Sequence, residues 1–252
     1  MSEGPWLYLV MFLGGLTAGW VDSIAGGGGL VTIPLLLWAG LPPQAALGTN
    51  KFQASFGSFT AAYHYVHEDV VSLKDTVPGI ALTLIGAALG AVAVQSVSSD
   101  VLGKIIPGML IATAVYLFFA PPFEGRPLTR RMNPLNFYLV FGLLFGFYDG
   151  FFGPGVGSFW AIAFVLFLGL DLKSATGHTK VMNFTSNIVS LLLFLIGGQV
   201  FFGVGVVMAA GQIVGARIGS GMVVRRGGQF IRPILLIVVL LTAVKLFLDQ
   251  LR

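Results

Sequence analysis

Gly19-Trp20-Val21-Asp22-Ser23-Ile24-Ala25-Gly26-Gly27-Gly28-Gly29-Leu30-Val31-Thr32-Ile33-Pro34 sets a carboxylate and four consecutive glycines between two apolar runs. A similar stretch returns in the second half as Gly146-Phe147-Tyr148-Asp149-Gly150-Phe151-Phe152-Gly153-Pro154-Gly155-Val156-Gly157. Each glycine costs about 1 kcal/mol relative to alanine inside a helix, so four in a row predict unwound backbone. In the second stretch Pro154 removes a backbone donor as well. Unwound backbone at membrane depth survives only when buried in protein or lining a water-filled cavity. Breaks at matching places in two halves are the best pointer a sequence offers to a transporter's binding site. Close helix packing through small residues is the competing reading. It suits Gly86-xxx-Gly90 and Gly215-xxx-Gly219, and it suits a run of four glycines poorly.

The composition agrees with a membrane setting. Of 252 residues, 56% are hydrophobic and 10% charged, and the mean hydropathy is +0.91. A soluble domain carries roughly a quarter of its residues as charged types, so this chain lacks the polar surface to cover itself in water. Soluble enzymes, nucleic-acid binders, disordered chains and secreted disulfide scaffolds are excluded. The absence of cysteine removes disulfides, thiolate nucleophiles and Cys-based metal sites. The net charge of +4 reads as Lys and Arg held on the cytoplasmic side rather than as a nucleic-acid footprint. No basic residue precedes the first apolar run, which argues against a cleaved signal peptide, and Trp6 and Tyr8 fit an interfacial anchor.

Apolar segments run over 6–21, 30–39, 44–66, 77–97 and 101–120, and then again over 135–148, 158–168, 174–196, 201–224 and 231–248. The polar stretch 121–133, with Glu124, Arg126, Arg130 and Arg131, separates the two series. The division is therefore 1–120 as a first membrane repeat, 121–133 as a basic linker and 134–252 as a second repeat, all within one membrane domain. A shift of 129 residues superposes Gly48 on Gly177, Lys51 on Lys180, Gly86-Ala87 on Gly215-Ala216 and Gly90 on Gly219. Glycine matches come cheaply in such a composition, whereas charged matches inside apolar segments do not.

The fold class expected is an all-α polytopic membrane protein of two homologous halves, with 8–10 membrane segments and short broken or re-entrant helices. The orientation of the halves follows from charge. The loop Arg225-Arg226…Arg232 corresponds to 96–103, which holds no Lys or Arg. If basic residues mark the cytoplasmic side, matching loops lie on opposite sides. That requires an odd number of crossings per half: five, or three if the first two short segments form a re-entrant hairpin. Inverted repeats are the expected arrangement over two parallel units.

Buried carboxylates are expensive in a bilayer, so Asp22 and Asp149, recurring just before the two breaks, are candidates for charge pairing or ion coupling. A helix cap or an interfacial position is the plainer alternative. Lys51 and Lys180 recur inside weakly polar segments, with Thr49, Asn50, Gln53, Ser55 and Ser58 around the first and His178, Asn183, Thr185, Ser186 and Asn187 around the second. At helical spacing Lys51, Ser55 and Ser58 share a face, as do Lys180, Asn183 and Asn187. Lipid cannot satisfy such a stripe, so it faces protein or water. Snorkelling from a helix end is the alternative for each lysine. His64 and His67 near Glu68 and Asp69 read as a helix end at the membrane surface rather than a metal site. No metalloprotease, nucleophile-elbow, P-loop or dinucleotide pattern is present, so an enzyme is not expected.

The Gly19–Pro34 stretch, followed by Ala46-Leu-Gly-Thr-Asn-Lys51, resembles the TauE/SafE sulfite exporter family, also called the toluene sulfonate uptake permeases. The second-half run Gly146–Gly157, with Ala175-Thr-Gly-His-Thr-Lys180 and Asn183-Phe-Thr-Ser-Asn187, is similar to its YfcA-like members. The resemblance covers nearly the whole chain. It implies a multi-pass permease of the bacterial inner membrane whose substrates are sulfur-containing or organic anions such as sulfite and sulfonates. The halves differ at their breaks and at Thr49-Asn50 against His178-Thr179, so the site need not be symmetric.

The resulting expectation is a secondary transporter of a small anion, working by alternating access with possible proton coupling, without cofactor or metal. Its partners are the anion, the bilayer and, optionally, a second copy in a homodimer; nucleic acid is not among them. The expected substrate-binding residues are Gly26, Gly27, Gly28, Gly29, Thr49, Asn50, Lys51, Gln53, Gly153, Gly155, Gly157, His178, Lys180, Asn183 and Asn187, with Asp22 and Asp149 for coupling or charge pairing. Backbone N–H groups at the starts of the short helices beyond Gly29 and Gly157 would face the anion. A passive anion channel and a non-transporting scaffold are the alternatives. Substrate, direction and coupling ion are not written in the sequence.

Overall fold

A computed structural model of the chain describes residues 4–119 and 129–226. The expected segment 231–248 and most of the polar linker lie outside the described residues. Within them the chain is a series of helices. They are α1 (Pro5–Ala25), α2 (Gly28–Trp38), α3 (Pro43–His67), α4 (Leu73–Gln95), α5 (Ser99–Phe119), α6 (134–151, π-helical over Tyr138–Gly142), α7 (Val156–Leu168, π-helical over Phe164–Leu168), α8 (Leu172–Ile196) and α9 (Phe202–Arg226). Proline opens α1 and α3, where its missing N–H lacks a helical partner anyway. The side chain of Asp171 caps α8, accepting from the N–H groups of Lys173 at 2.9 Å and Ser174 at 3.1 Å.

The repeated layout is direct. Adding 129 to the bounds of α3 (43 and 67) gives those of α8 (172 and 196), and the start of α4 (73) gives that of α9 (202). Among the described residues five helices are long and apolar enough to cross a membrane: α1, α4, α5 over Ser99–Tyr116, α8 and α9. The protein is a polytopic helical membrane protein turned outside-in relative to a soluble one. Leu9, Leu13, Leu84, Leu89, Ile213 and Ile218 are exposed, while Asn50, Lys51, Gln53, Asp149, Lys180 and Asn183 are buried.

Close approach of helices follows the glycines. A Cβ on Gly86 or Gly90 of α4 would strike the backbone of α6 at Leu143 and Phe147, and one on Gly215 would strike α1 at Leu16 and Trp20. These small residues let α4 lie along α6 and α1 along α9, the two most extensive helix pairings among the described residues. Each pairing joins the first element of one half to the fourth of the other, so the halves interlock. The equivalent helices α3 and α8 run antiparallel. Gly48, near the start of α3, abuts Phe194 and Gln199 at the end of α8, while Gly177, near the start of α8, abuts Tyr65 and Val71 at the end of α3.

Two helical hairpins hold the breaks. The ring of Trp6 at the start of α1 packs edge-on against Trp38 at the end of α2, with centroids 5.9 Å apart, so α2 doubles back along α1. The second hairpin is α6–α7, whose far end returns to its beginning through Arg131 N and Met132 N, which donate to the Phe167 carbonyl at 2.8 and 3.0 Å. The unwound tip of the first is shorter than four glycines suggest. Gly26 (φ +70) and Gly27 (φ +150) take conformations that side chains rarely adopt, whereas Gly28 and Gly29 form the first turn of α2.

Candidate functional site

The two hairpin tips meet inside the bundle. A Cβ on Gly157 would stand 2.7 Å from the Gly26 Cα, so bare backbone is needed on both sides of the crossing. The Ser158 hydroxyl bridges the tips, donating to the carbonyls of Ala25 at 2.8 Å and Gly26 at 2.9 Å. Free backbone acceptors left by broken helices are thereby satisfied from the other half.

Around this crossing the charges recurring in the sequence pair crosswise. Lys51 of α3 meets Asp149 of α6 at 2.6 Å, and Lys180 of α8 meets Asp22 of α1 at 3.1 Å. Each lysine thus finds the carboxylate of the opposite half. Snorkelling is ruled out, because both lysines are buried away from any helix end. The plainer reading of Asp22 as a cap is correct in part: its Oδ1 accepts from the N–H groups of Gly27 at 3.1 Å and Gly28 at 3.3 Å. Asp22 is simultaneously a cap and an ion-pair partner.

The two pairs are chemically unequal. Lys51 Nζ has three acceptors: Asp149 Oδ1, the Asp149 carbonyl and Asn187 Oδ1 at 3.3 Å. Asp149 also accepts from the Ser186 hydroxyl, and its side chain is 3% exposed. Lys180 Nζ, fully buried, has one acceptor among the described residues, Asp22 Oδ2, and the Asp22 side chain is 23% exposed.

A cavity of about 30 Å³ lies between these groups, lined by Asp22, Gly27, Gly28, Gly29, Asn50, Ala54, Asp149, Gly153, Gly155, Val156, Gly157, Asn183, Asn187 and Gln212. A buried water needs about 10–15 Å³ on this measure, so the space suits about two waters. Asn183 Oδ1 is buried there without a hydrogen-bond partner among the described residues.

The structure therefore brings together most of the residues expected from sequence and sets a few apart. Asn50 lines the cavity, with its Oδ1 accepting from Thr32 at 2.5 Å and from Gln53 at 2.8 Å, so Gln53 supports Asn50 from behind. Thr49 lies apart from the cavity: its hydroxyl accepts from the Phe201 N–H at 2.9 Å, at the start of α9. So does His178, whose ring bonds the Ser174 carbonyl at 2.8 Å and packs on Phe164. The N–H groups at the start of α2 are not free either, since Asp22 holds those of Gly27 and Gly28. Thr32, Ser158 and Gln212 belong to the site or its support without having been singled out, and Ser186, named in the polar stripe around Lys180, bonds Asp149. His64 joins a separate cluster, its Nδ1 2.8 Å from the Ser220 hydroxyl, with Arg217 at 2.9 Å and Glu68 at 3.5 Å. Among the described residues no group of three or more His, Cys, Asp or Glu could hold a metal.

Broken helices meeting around buried, paired charges within a polytopic helical bundle define the class of membrane transporters. Comparison of sequences gives the particular kind. The chain belongs to the sulfite exporter TauE/SafE family, whose family model matches residues 11–246. It is 47% identical over 246 residues to the probable membrane transporter protein YfcA of Escherichia coli (strain K12), covering 98% of this chain and 91% of that one. It is 42% identical over 254 residues to a probable membrane transporter protein of Haemophilus influenzae, covering 99% and 98%. The probable membrane transporter protein YdhB of Bacillus subtilis is 25% identical over 217 residues. No solved structure matches the chain. The protein is a membrane transporter and not an enzyme.

Proposed function

We propose that this transporter carries a small oxyanion, sulfur-containing or organic, across the bacterial inner membrane by alternating access. The observation that carries the reading is the pair of crosswise Lys–Asp contacts at the meeting point of two opposed hairpins. Buried ionisable groups inside a membrane bundle mark a substrate or ion pathway. Amides from Asn50, Asn183 and Asn187 supply neutral hydrogen bonds around them. The antiparallel course of α3 and α8 supports inverted repeats, in which equivalent faces of the site open to opposite sides of the membrane.

A cavity of about 30 Å³ is too small for an oxyanion beside the side chains it already holds, which favours a carrier that must open over a standing pore. A ligand screen by thermal unfolding of the purified protein tests the reading. Sulfite, thiosulfate, methanesulfonate and acetate are compared with chloride at equal ionic strength. Stabilisation by one or more oxyanions that is absent in Lys180→Ala supports the site; stabilisation that survives in Lys180→Ala rejects it.

A further inference from the structure

The carboxylate of Asp22 already sits where an anion would be bound. One of its oxygens takes the N–H groups of Gly27 and Gly28 at the start of an eleven-residue helix, and the other takes the ammonium of Lys180. Backbone N–H groups at a helix start together with a buried cation form the standard setting for an oxyanion. Two further observations set this place apart from a simple cap. Lys180 Nζ, with no exposed surface, has three donors and a single acceptor among the described residues. Asn183, one turn along α8 and 3% exposed, lines the cavity beside Gly157 with its Oδ1 unpartnered among the described residues, an acceptor open to the proton of a neutral carboxyl. The equivalent Lys51 is saturated by three acceptors and has no such capacity.

We propose that Asp22 is a tethered stand-in for the substrate: the transported oxyanion binds at Lys180 and the Gly27 and Gly28 N–H groups only when Asp22 takes up a proton and releases them. This rests on the anion-transport reading above and assigns the coupling to one carboxylate. The balance is simple. A proton bonds to one Asp22 oxygen, the neutral acid swings from Lys180, and the anion's oxygens accept the three donors just freed. For a singly charged anion the charge of the site is unchanged, so one proton and one anion move together. Asp149, buried, keeps its contacts with Lys51 and the Ser186 hydroxyl throughout. The opening that leaves Asp22 23% exposed gives the proton its way in. The ionisable groups facing Asp22 are few. They are Lys180 from α8, the Tyr65 hydroxyl of α3, which donates to the Ser23 carbonyl at 2.9 Å, and the Lys51–Asp149 pair across the cavity. From α9 the cavity receives only the neutral Gln212, and α2 brings no ionisable side chain.

The test measures binding of sulfate, thiosulfate, methanesulfonate and acetate, chosen because they stay ionised over the range, to full-length protein in detergent between pH 5.5 and 8, with proton uptake followed by a dye in weak buffer. For wild type, affinity strengthens up to tenfold per unit fall in pH, and about one proton is taken up per anion bound. In Asp22→Asn both the pH dependence and the proton uptake disappear, while in Asp100→Asn, at the exposed start of α5, both persist. Anion binding with no proton uptake, or Asp22→Asn with wild-type pH dependence, overturns the coupling role and leaves the anion site standing. No binding by any of the four anions overturns the anion reading itself. If Asp22→Asn does not fold, proton uptake by wild type alone decides.

Discussion

Breaking the Lys51–Asp149 pair in either half should destabilise the folded protein more than any other single polar substitution in the bundle. The side chains are 1% and 3% exposed, 2.6 Å apart, and bound further through Asn187 and Ser186. Lys51→Met leaves a carboxylate in the interior with one hydroxyl for company, and Asp149→Asn leaves an ammonium with neutral acceptors only. Removing one partner of a buried pair costs about 3–5 kcal/mol, because the survivor is an uncompensated charge. For a chain of this size each kcal/mol moves the unfolding midpoint by roughly 2–4 °C, so a fall of about 6–20 °C is expected from either single change. The double variant Lys51→Met/Asp149→Asn carries no stranded charge and should recover more than half of the sum of the two losses. Thermal unfolding in one detergent, read by the four-member cycle, gives the coupling directly. Single changes that cost under about 1 kcal/mol, or a double change equal to the sum of the singles, refute the claim that this pair ties α3 to the second hairpin.

Three further outcomes follow from the same geometry. Gly157→Ala places a methyl 2.7 Å from the Gly26 Cα, so the crossing must open; a loss of about 1–3 kcal/mol is expected together with weaker anion binding, and an unchanged melting point contradicts the contact. Thr49→Val strands the Phe201 N–H and should cost about 1–3 kcal/mol while leaving anion affinity near wild type; lost affinity in the folded variant returns Thr49 to the site. Cysteines replacing Lys74 and Gly203, equivalent positions by the shift of 129 (74 + 129 = 203), should react with an impermeant reagent from opposite faces of sealed vesicles; reaction from one face excludes inverted repeats.

The charged members of the site were legible in the sequence because ionisable residues within apolar segments have no inexpensive alternative, and because Asp22, Asp149, Lys51 and Lys180 recur at a nearly fixed spacing. Their crosswise pairing was not legible. It is set by α1 lying on α9 and α4 on α6, contacts made through glycine backbones far apart in the chain. The glycine motifs were read as either packing or binding, yet Gly157 does both, touching Gly26 and lining the cavity. Thr49 and His178 lie apart from the cavity for a simple reason. Each is two residues before its lysine, about 200° around the helix, and so points away from the polar stripe. Ser158 and Thr32 escaped notice because isolated hydroxyls satisfy themselves against helix carbonyls so often that they carry little signal. Gln212, a lone amide on the glycine-rich face of α9, was the one overlooked residue with a readable signature.

Counterflow in proteoliposomes bears most directly on the central claim that crossed Lys–Asp pairs at the meeting of two broken hairpins form an anion carrier's site. Vesicles loaded with whichever oxyanion stabilises the protein should take up labelled anion faster than empty vesicles. The acceleration should vanish in Lys180→Ala reconstituted at equal, folded amounts. Flux indifferent to the anion inside points to a pore, and acceleration that survives in Lys180→Ala removes the lysine, and the site built around it, from transport.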